Sequence, residues 1–168
     1  TEAEVDEFLP RVVDMLREGI LHSDTPTEIK VVEKTSKEQS EINEKVALVK
    51  YHPGYDPSLL KNIIESDYKA IILEGTGLGN IGEKMYPMVK MANEEGIFMG
   101  MNSQCIDGRV RMTVYESGRD LFDLGIIPLE NMIPEVALVK AMWITGTSEN
   151  NEEIKERMLN RVASEFSK

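Results

Sequence analysis

The sequence predicts an α/β fold, a small layered domain in which a four-stranded parallel sheet is flanked by helices. Three observations carry this prediction. Ala70-Ile71-Ile72-Leu73 is an unbroken apolar run, which suits a strand covered on both faces. That run passes through Glu74 into a glycine-rich loop, Gly75-Thr76-Gly77-Leu78-Gly79-Asn80, and a helical pattern follows from Gly82 to Gly96. The same alternation of strand and helix recurs along the chain, as a parallel sheet with helical crossovers requires.

In chain order, Thr1-Glu2-Ala3-Glu4 has the form of a capping box. Val5, Leu9, Val12, Val13, Leu16 and Ile20 then recur at helical spacing and make one stripe on an acidic helix. Pro10 removes a backbone donor inside this pattern, so a kink or a late start is expected there. The stripe suits packing on its own domain or docking on something outside the chain. Glu28–Glu33 reads as a short strand and Lys34–Lys45 as a polar linker. The expected organisation is thus an acidic helical segment over 1–27, a strand and linker over 28–45, and an α/β domain over 46–168.

Within that domain, strands are expected near 46–51, 70–74, 97–101 and 126–128. Asp56 or Ser58 can cap the helix after the first strand, with Pro57 in its first turn. The second helix is expected near Glu83–Glu95, with Met85, Met88, Val89 and Ala92 facing inward. Asp107-Gly108 reads as a turn before a helix near Tyr115–Leu124. A strongly apolar helix over Glu135–Ile144 and an acidic helix over Asn151–Phe166 complete the pattern. The ten methionines fall mostly at apolar positions and read as core filling.

Composition narrows the function. The net charge of −11 argues against nucleic-acid binding by this chain, because phosphate contacts need clustered Lys and Arg. Residues 1–44 hold 12 acidic and 5 basic side chains, a net −7 of that total. No apolar run is long enough to span a membrane. The single cysteine, Cys105, forms no internal disulfide, which points to a reducing cytoplasm.

The glycine-rich loop is the strongest functional signal, because loops at strand ends line the ligand crevice of parallel sheets. It departs from G-x-G-x-x-G, and no Gly-Lys-Ser/Thr follows it, so neither nucleotide motif is complete. A plain connecting turn fits the pattern equally well. Glu74, at the strand end, suits a substrate ammonium or a neighbouring helix cap. Ser103 and Gln104 leave the third strand on the same edge; they can bind a small polar ligand or, more commonly, satisfy loop backbone. Cys105 has no cationic neighbour to lower its pKa. Thr76 and Thr113 have no base beside them in sequence. His22 and His52 lack metal-ligand spacing, and His52 reads as a loop residue near the crevice.

From Lys45 onward, Val46–Tyr51 with His52-Pro53-Gly54, then Glu74–Asn80, Ser103-Gln104-Cys105, Gly108-Arg109-Val110, Met112, Val114-Tyr115, Ile127-Pro128, Met132, Pro134-Glu135, Val139-Lys140 and Met142-Trp143 form an ordered series of blocks. The series closely resembles the second domain of the D-type component of archaeal glutamyl-tRNA(Gln) amidotransferases, a member of the asparaginase family. The resemblance covers about three quarters of the chain. It implies hydrolysis of glutamine or asparagine through an acyl-enzyme on a threonine, with ammonia passed to the amidotransferase's E-type partner. That family's nucleophile, second threonine, aspartate and lysine lie in a first domain. The resemblance therefore assigns no catalytic residue here, implies no cofactor, and leads to the expectation that the chain alone is inactive. It also implies a homodimer.

Substrate- or effector-binding candidates on this basis are Glu74, Gly75, Thr76, Gly77, Asn80, Ser103, Gln104 and Cys105. Secreted bacterial asparaginases carry an asparagine where this chain has Leu78, and Asn80 does not stand at that position. In cytoplasmic asparaginases the loop after the third strand lies near an effector pocket. Alternatives to this reading are an oligomerising or small-amide-binding module, or the second half of a cytoplasmic asparaginase. The His-Pro-Gly and Gly-Arg-Val blocks favour the amidotransferase.

Overall fold

The computed structural model describes residues 42–167. The expected N-terminal helix and the Glu28–Glu33 strand lie outside the described residues, as does most of the linker. The described part is a four-stranded parallel sheet in the order β1-β2-β3-β4: β1 (Val46–Lys50), β2 (Ala70–Gly75), β3 (Phe98–Ser103) and β4 (Ile127–Pro128). The strands run in chain order across the sheet. Glu74 therefore sits between Lys50 and Asn102 in register, and Gly75 lies opposite Ser103.

Helices cover both faces, which is why β2 needs no polar alternation. Ile71, Leu73, Met99 and Met101 face α1 (Pro57–Ile64), α2 (Tyr86–Glu94) and α3 (Glu116–Asp123), meeting Leu60, Val89, Ala92 and Leu121. Ala70, Ile72 and Phe98 face α4 (Pro134–Thr147) and α5 (Asn151–Leu159), meeting Ala137, Ala141, Ile144 and Met158. Every residue of β2 is buried. Each large apolar side chain so buried contributes roughly 1.5–3 kcal/mol relative to exposure.

Local signals set the helix starts. Asp56 caps α1, accepting the Ser58 N–H at 2.9 Å, with Pro57 as the first helical residue. The second helix opens with a 3₁₀ turn over Glu83–Met85 and becomes α-helical at Tyr86, because Pro87 suits only the first turn. Met85, Val89 and Ala92 are fully buried, and Met88 packs against the same core while part-exposed. Cys105–Gly108 closes a turn through a 2.9 Å bond from the Gly108 N–H to the Cys105 carbonyl, so the turn around Asp107-Gly108 begins earlier than its sequence predicts.

The C-terminal helix is shorter than expected. It ends at Leu159, and Asn160 is extended (φ −83°, ψ 127°). The cause is Lys140 on α4. Its ammonium donates to the carbonyls of Met158, at 3.0 Å, and Asn160, at 2.6 Å, and to the Glu165 carboxylate. Carbonyls at the end of a helix need donors, and here a buried lysine supplies them. The Glu165 carboxylate turns back to accept the N–H groups of Val162 and Ala163, so residues 160–167 form a strap rather than another helical turn. The Phe166 ring lies 5.4 Å from the Lys140 ammonium.

Candidate functional site

The glycine-rich loop is a tight hairpin at the C-terminal edge of the sheet. Thr76 and Asn80 exchange both backbone bonds, each at 2.9 Å, and the loop tip is Gly77-Leu78-Gly79. Gly77 and Gly79 have φ of +55° and +100°, values that cost a side-chain-bearing residue steric energy. Beneath Gly79 lie Val110 and Met101. A Cβ there would stand 2.8 Å from Val110 Cγ1 and 2.9 Å from Met101 Cγ.

Most polar groups expected at this edge are engaged in holding it. The Thr76 hydroxyl donates to the Asn80 carbonyl at 3.2 Å. The Ser103 hydroxyl donates to the Gly77 carbonyl at 2.6 Å and accepts the Cys105 N–H at 3.0 Å. The Gln104 amide donates to the Tyr51 carbonyl and, at 2.8 Å, to that of Glu74, tying together the ends of β1 and β2. The Gln104 N–H reaches the Gly75 carbonyl at 3.0 Å. Asn80 Oδ1 accepts the Ser117 hydroxyl at 2.9 Å, which links the loop to α3. These bonds make the loop a preformed surface.

Glu74 lies apart from this group. Alternation along β2 puts it on the face of Ala70 and Ile72, whereas the loop core lies on the face of Leu73. Its carboxylate pairs with Lys50 at 3.0 Å and is 11% exposed. Neither a substrate ammonium nor a helix cap is needed to explain it. Cys105 is exposed beside Ile106, which is 92% exposed. His52 is exposed in the loop after β1, its Nδ1 3.0 Å from the Pro53 carbonyl oxygen.

Sequence reasoning did not single out Asn102, Ser117 or Glu130, and it marked Arg109 only as part of the Gly108-Arg109-Val110 block, with no contact assigned to its side chain. Asn102 is fully buried opposite Glu74; it donates to the Met132 carbonyl while its Oδ1 has no partner among the described residues. A lone polar residue at the end of the Phe98–Met101 run was the available signal. Arg109 pairs with Glu130 at 2.9 Å, an interaction across a long stretch of sequence that local pattern does not reveal. Among the described residues, no three His, Cys, Asp or Glu side chains cluster as metal ligands, and no helix is long and apolar enough to cross a membrane.

Ser103→Ala is expected to cost about 1–2 kcal/mol, because it removes two hydrogen bonds, one that joins β3 to the loop at Gly77 and one that holds the Cys105 N–H in the turn after β3. Cys105→Ser, at an exposed position, is expected to stay within about 0.5 kcal/mol of the parent. Urea unfolding midpoints of the two variants check this contrast.

Comparison with known proteins gives this geometry a context. Residues 45–158 match the glutaminase/asparaginase C-terminal domain. The chain belongs to that family. Its relatives include the D-type component of the glutamyl-tRNA(Gln) amidotransferase of Pyrococcus abyssi, 46% identical over 125 residues, and that of Sulfolobus acidocaldarius, 44% identical over 127. These alignments cover 74% and 76% of this chain and 28% of each relative, so the chain spans little more than a quarter of their length. Among solved structures, the family fold recurs in the L-asparaginase of Thermococcus kodakarensis (TM-score 0.70, 30% identity, 76% of this chain and 39% of that one). It recurs also in L-asparaginase I of Vibrio cholerae (TM-score 0.68, 28% identity, 73% and 38%).

Proposed function

We propose that these residues form the second domain of the glutamine-hydrolysing, ammonia-supplying component of a tRNA-dependent amidotransferase, which converts Glu-tRNA(Gln) to Gln-tRNA(Gln). The observation that carries this reading is the 44–46% identity with D-type amidotransferase components across three quarters of the chain. The two solved asparaginases stand at 28–30%. On this reading the domain contributes the rigid glycine-rich edge, and the nucleophile comes from outside residues 46–168. The hydroxyls of Thr76 and Ser103 bond backbone groups, so neither is placed beside a base. Glutamine is the substrate, the E-type partner receives the ammonia, the assembly is a cytoplasmic homodimer, and the acidic segment over 1–27 is an appendage to the α/β domain.

A second reading, a small-amide-binding module, draws on one observation. Glu74 and the unmatched Asn102 Oδ1 are neighbouring acceptors, and acceptors select N–H donors. Ammonia release from glutamine separates the two. The 168-residue chain alone is expected to show no glutaminase activity above buffer. The same residues joined to a threonine-bearing first domain are expected to show it. Robust turnover by the chain alone would overturn the amidotransferase reading. Tight glutamine binding without turnover in both forms would favour the module.

A further inference from the structure

The geometry points to Arg109 as a positioning residue for the glycine-rich loop, clamped by the C-terminal strap. A short series of contacts makes the link. The Arg109 guanidinium donates to the Ser167 carbonyl, and its Nε stands 2.9 Å from the Glu130 carboxylate. Ser167 is itself held, since its N–H donates to Asn131 Oδ1 at 2.8 Å and its hydroxyl reaches the same oxygen at 3.2 Å. The next residue along, Val110, donates its N–H to the Glu130 carbonyl at 2.8 Å. Arg111 then donates its N–H to the Leu78 carbonyl at 3.0 Å, at the tip of the loop.

Packing runs in the same direction as these bonds. Val110 is 3% exposed and lies directly beneath Gly79, too close to admit a Cβ there. The loop tip therefore rests on residues 110 and 111 through one hydrogen bond and one apolar contact. Glu130 sits at φ +59°, a left-handed conformation that a glutamate rarely adopts. Such a residue persists where its surroundings over-determine it. Here its carbonyl and its carboxylate are both engaged by the Val110–Arg109 segment. The other end of the strap is anchored separately by Lys140, so Ser167 is delivered to Arg109 by a segment fixed at both ends.

Arg109 thus acts on the loop through its neighbours and sets where the loop stands. If the loop is the surface proposed above, the strap and Arg109 tune its fit; the exchange test does not depend on that reading. Hydrogen exchange on the full chain tests the link through two variants. Asn131→Ala frees Ser167, and Arg109→Ala removes the clamp. Both are expected to speed exchange of the Arg111, Gly79 and Asn80 amides by roughly tenfold, through local opening. Ile72 and Gly100 amides in the sheet are expected to keep their rates. Unchanged Arg111, Gly79 and Asn80 rates in Asn131→Ala would overturn the inference. So would an equal rise at every amide, which reports only global loss of stability.

Discussion

Lys140→Met is expected to lower the unfolding free energy by about 3–5 kcal/mol, the range for removing one member of a buried ion pair. Lys140 and Glu165 side chains are each 6% exposed, and the ammonium serves three acceptors at once. Methionine keeps the stem's apolar contacts but leaves the Glu165 carboxylate and the Asn160 carbonyl without that donor. Replacing both partners, as Lys140→Met with Glu165→Leu, is expected to recover more than half of the loss, because no buried charge is then stranded. Urea unfolding of the three proteins checks this, and a double variant as unstable as the single one would count against a stranded carboxylate as the cause.

The same pair sets a pH dependence. Burial pushes the Glu165 carboxyl up, but hydrogen bonds from Lys140 and from backbone N–H groups outweigh it and hold it below its ordinary 4.5. A carboxyl with a depressed folded value contributes stability that is fully present above 4.5 and lost as pH falls through the folded value. Burial pushes Lys140 down, below its ordinary 10.5, against the pull of Glu165. On that account stability rises as pH rises through the folded Lys140 value towards 10.5. The parent is therefore expected to lose stability below pH 4.5 more steeply than the double variant.

Which parts of this fold were legible follows from the range of each interaction. β2 announces itself because both of its faces are apolar, and α1 because Asp56 and Pro57 are local signals. β4 has only two residues, yet Gly125-Ile126-Ile127-Pro128 marks it, since a Gly–apolar–Pro run rarely continues a helix. The strap was missed for a physical reason. Residues 151–166 carry an adequate helical composition, and the helix is ended by Lys140, 18 residues upstream of Met158. Tertiary contacts override propensity there. The site divides in the same way. The loop's turn was readable from the glycines, whereas the partners of Ser103, Gln104 and Asn80 depend on how strand ends are brought together. Glu74 was placed with the loop by sequence proximity, and strand alternation puts it on the other face.

Gly79→Ala is expected to be the most damaging single methyl in the loop. At φ +100° any L-residue is strained, at roughly 1–2 kcal/mol. The added Cβ also meets Val110 Cγ1 and Met101 Cγ below 3 Å, and both side chains belong to the core. Overpacking of this kind costs typically about 1–3 kcal/mol, so the total is expected near 2–5 kcal/mol. Gly77→Ala supplies the comparison within the same hairpin. Its φ of +55° carries the backbone strain, but no atom lies within 4 Å of its Cβ, so only about 1 kcal/mol is expected. The two variants separate conformational strain from steric fit. They also test the loop's bearing on function, because the Gly79 methyl must push the loop tip off Val110, while the Gly77 methyl points into open space. If the domain serves the glutaminase proposed above, Gly79→Ala in a protein that joins it to a threonine-bearing first domain is expected to reduce glutaminase kcat/KM by more than about tenfold, the cost of displacing a positioned element by about an ångström. Gly77→Ala is expected to retain most of it. Equal activities in two folded variants would mean that the loop's position does not govern the reaction.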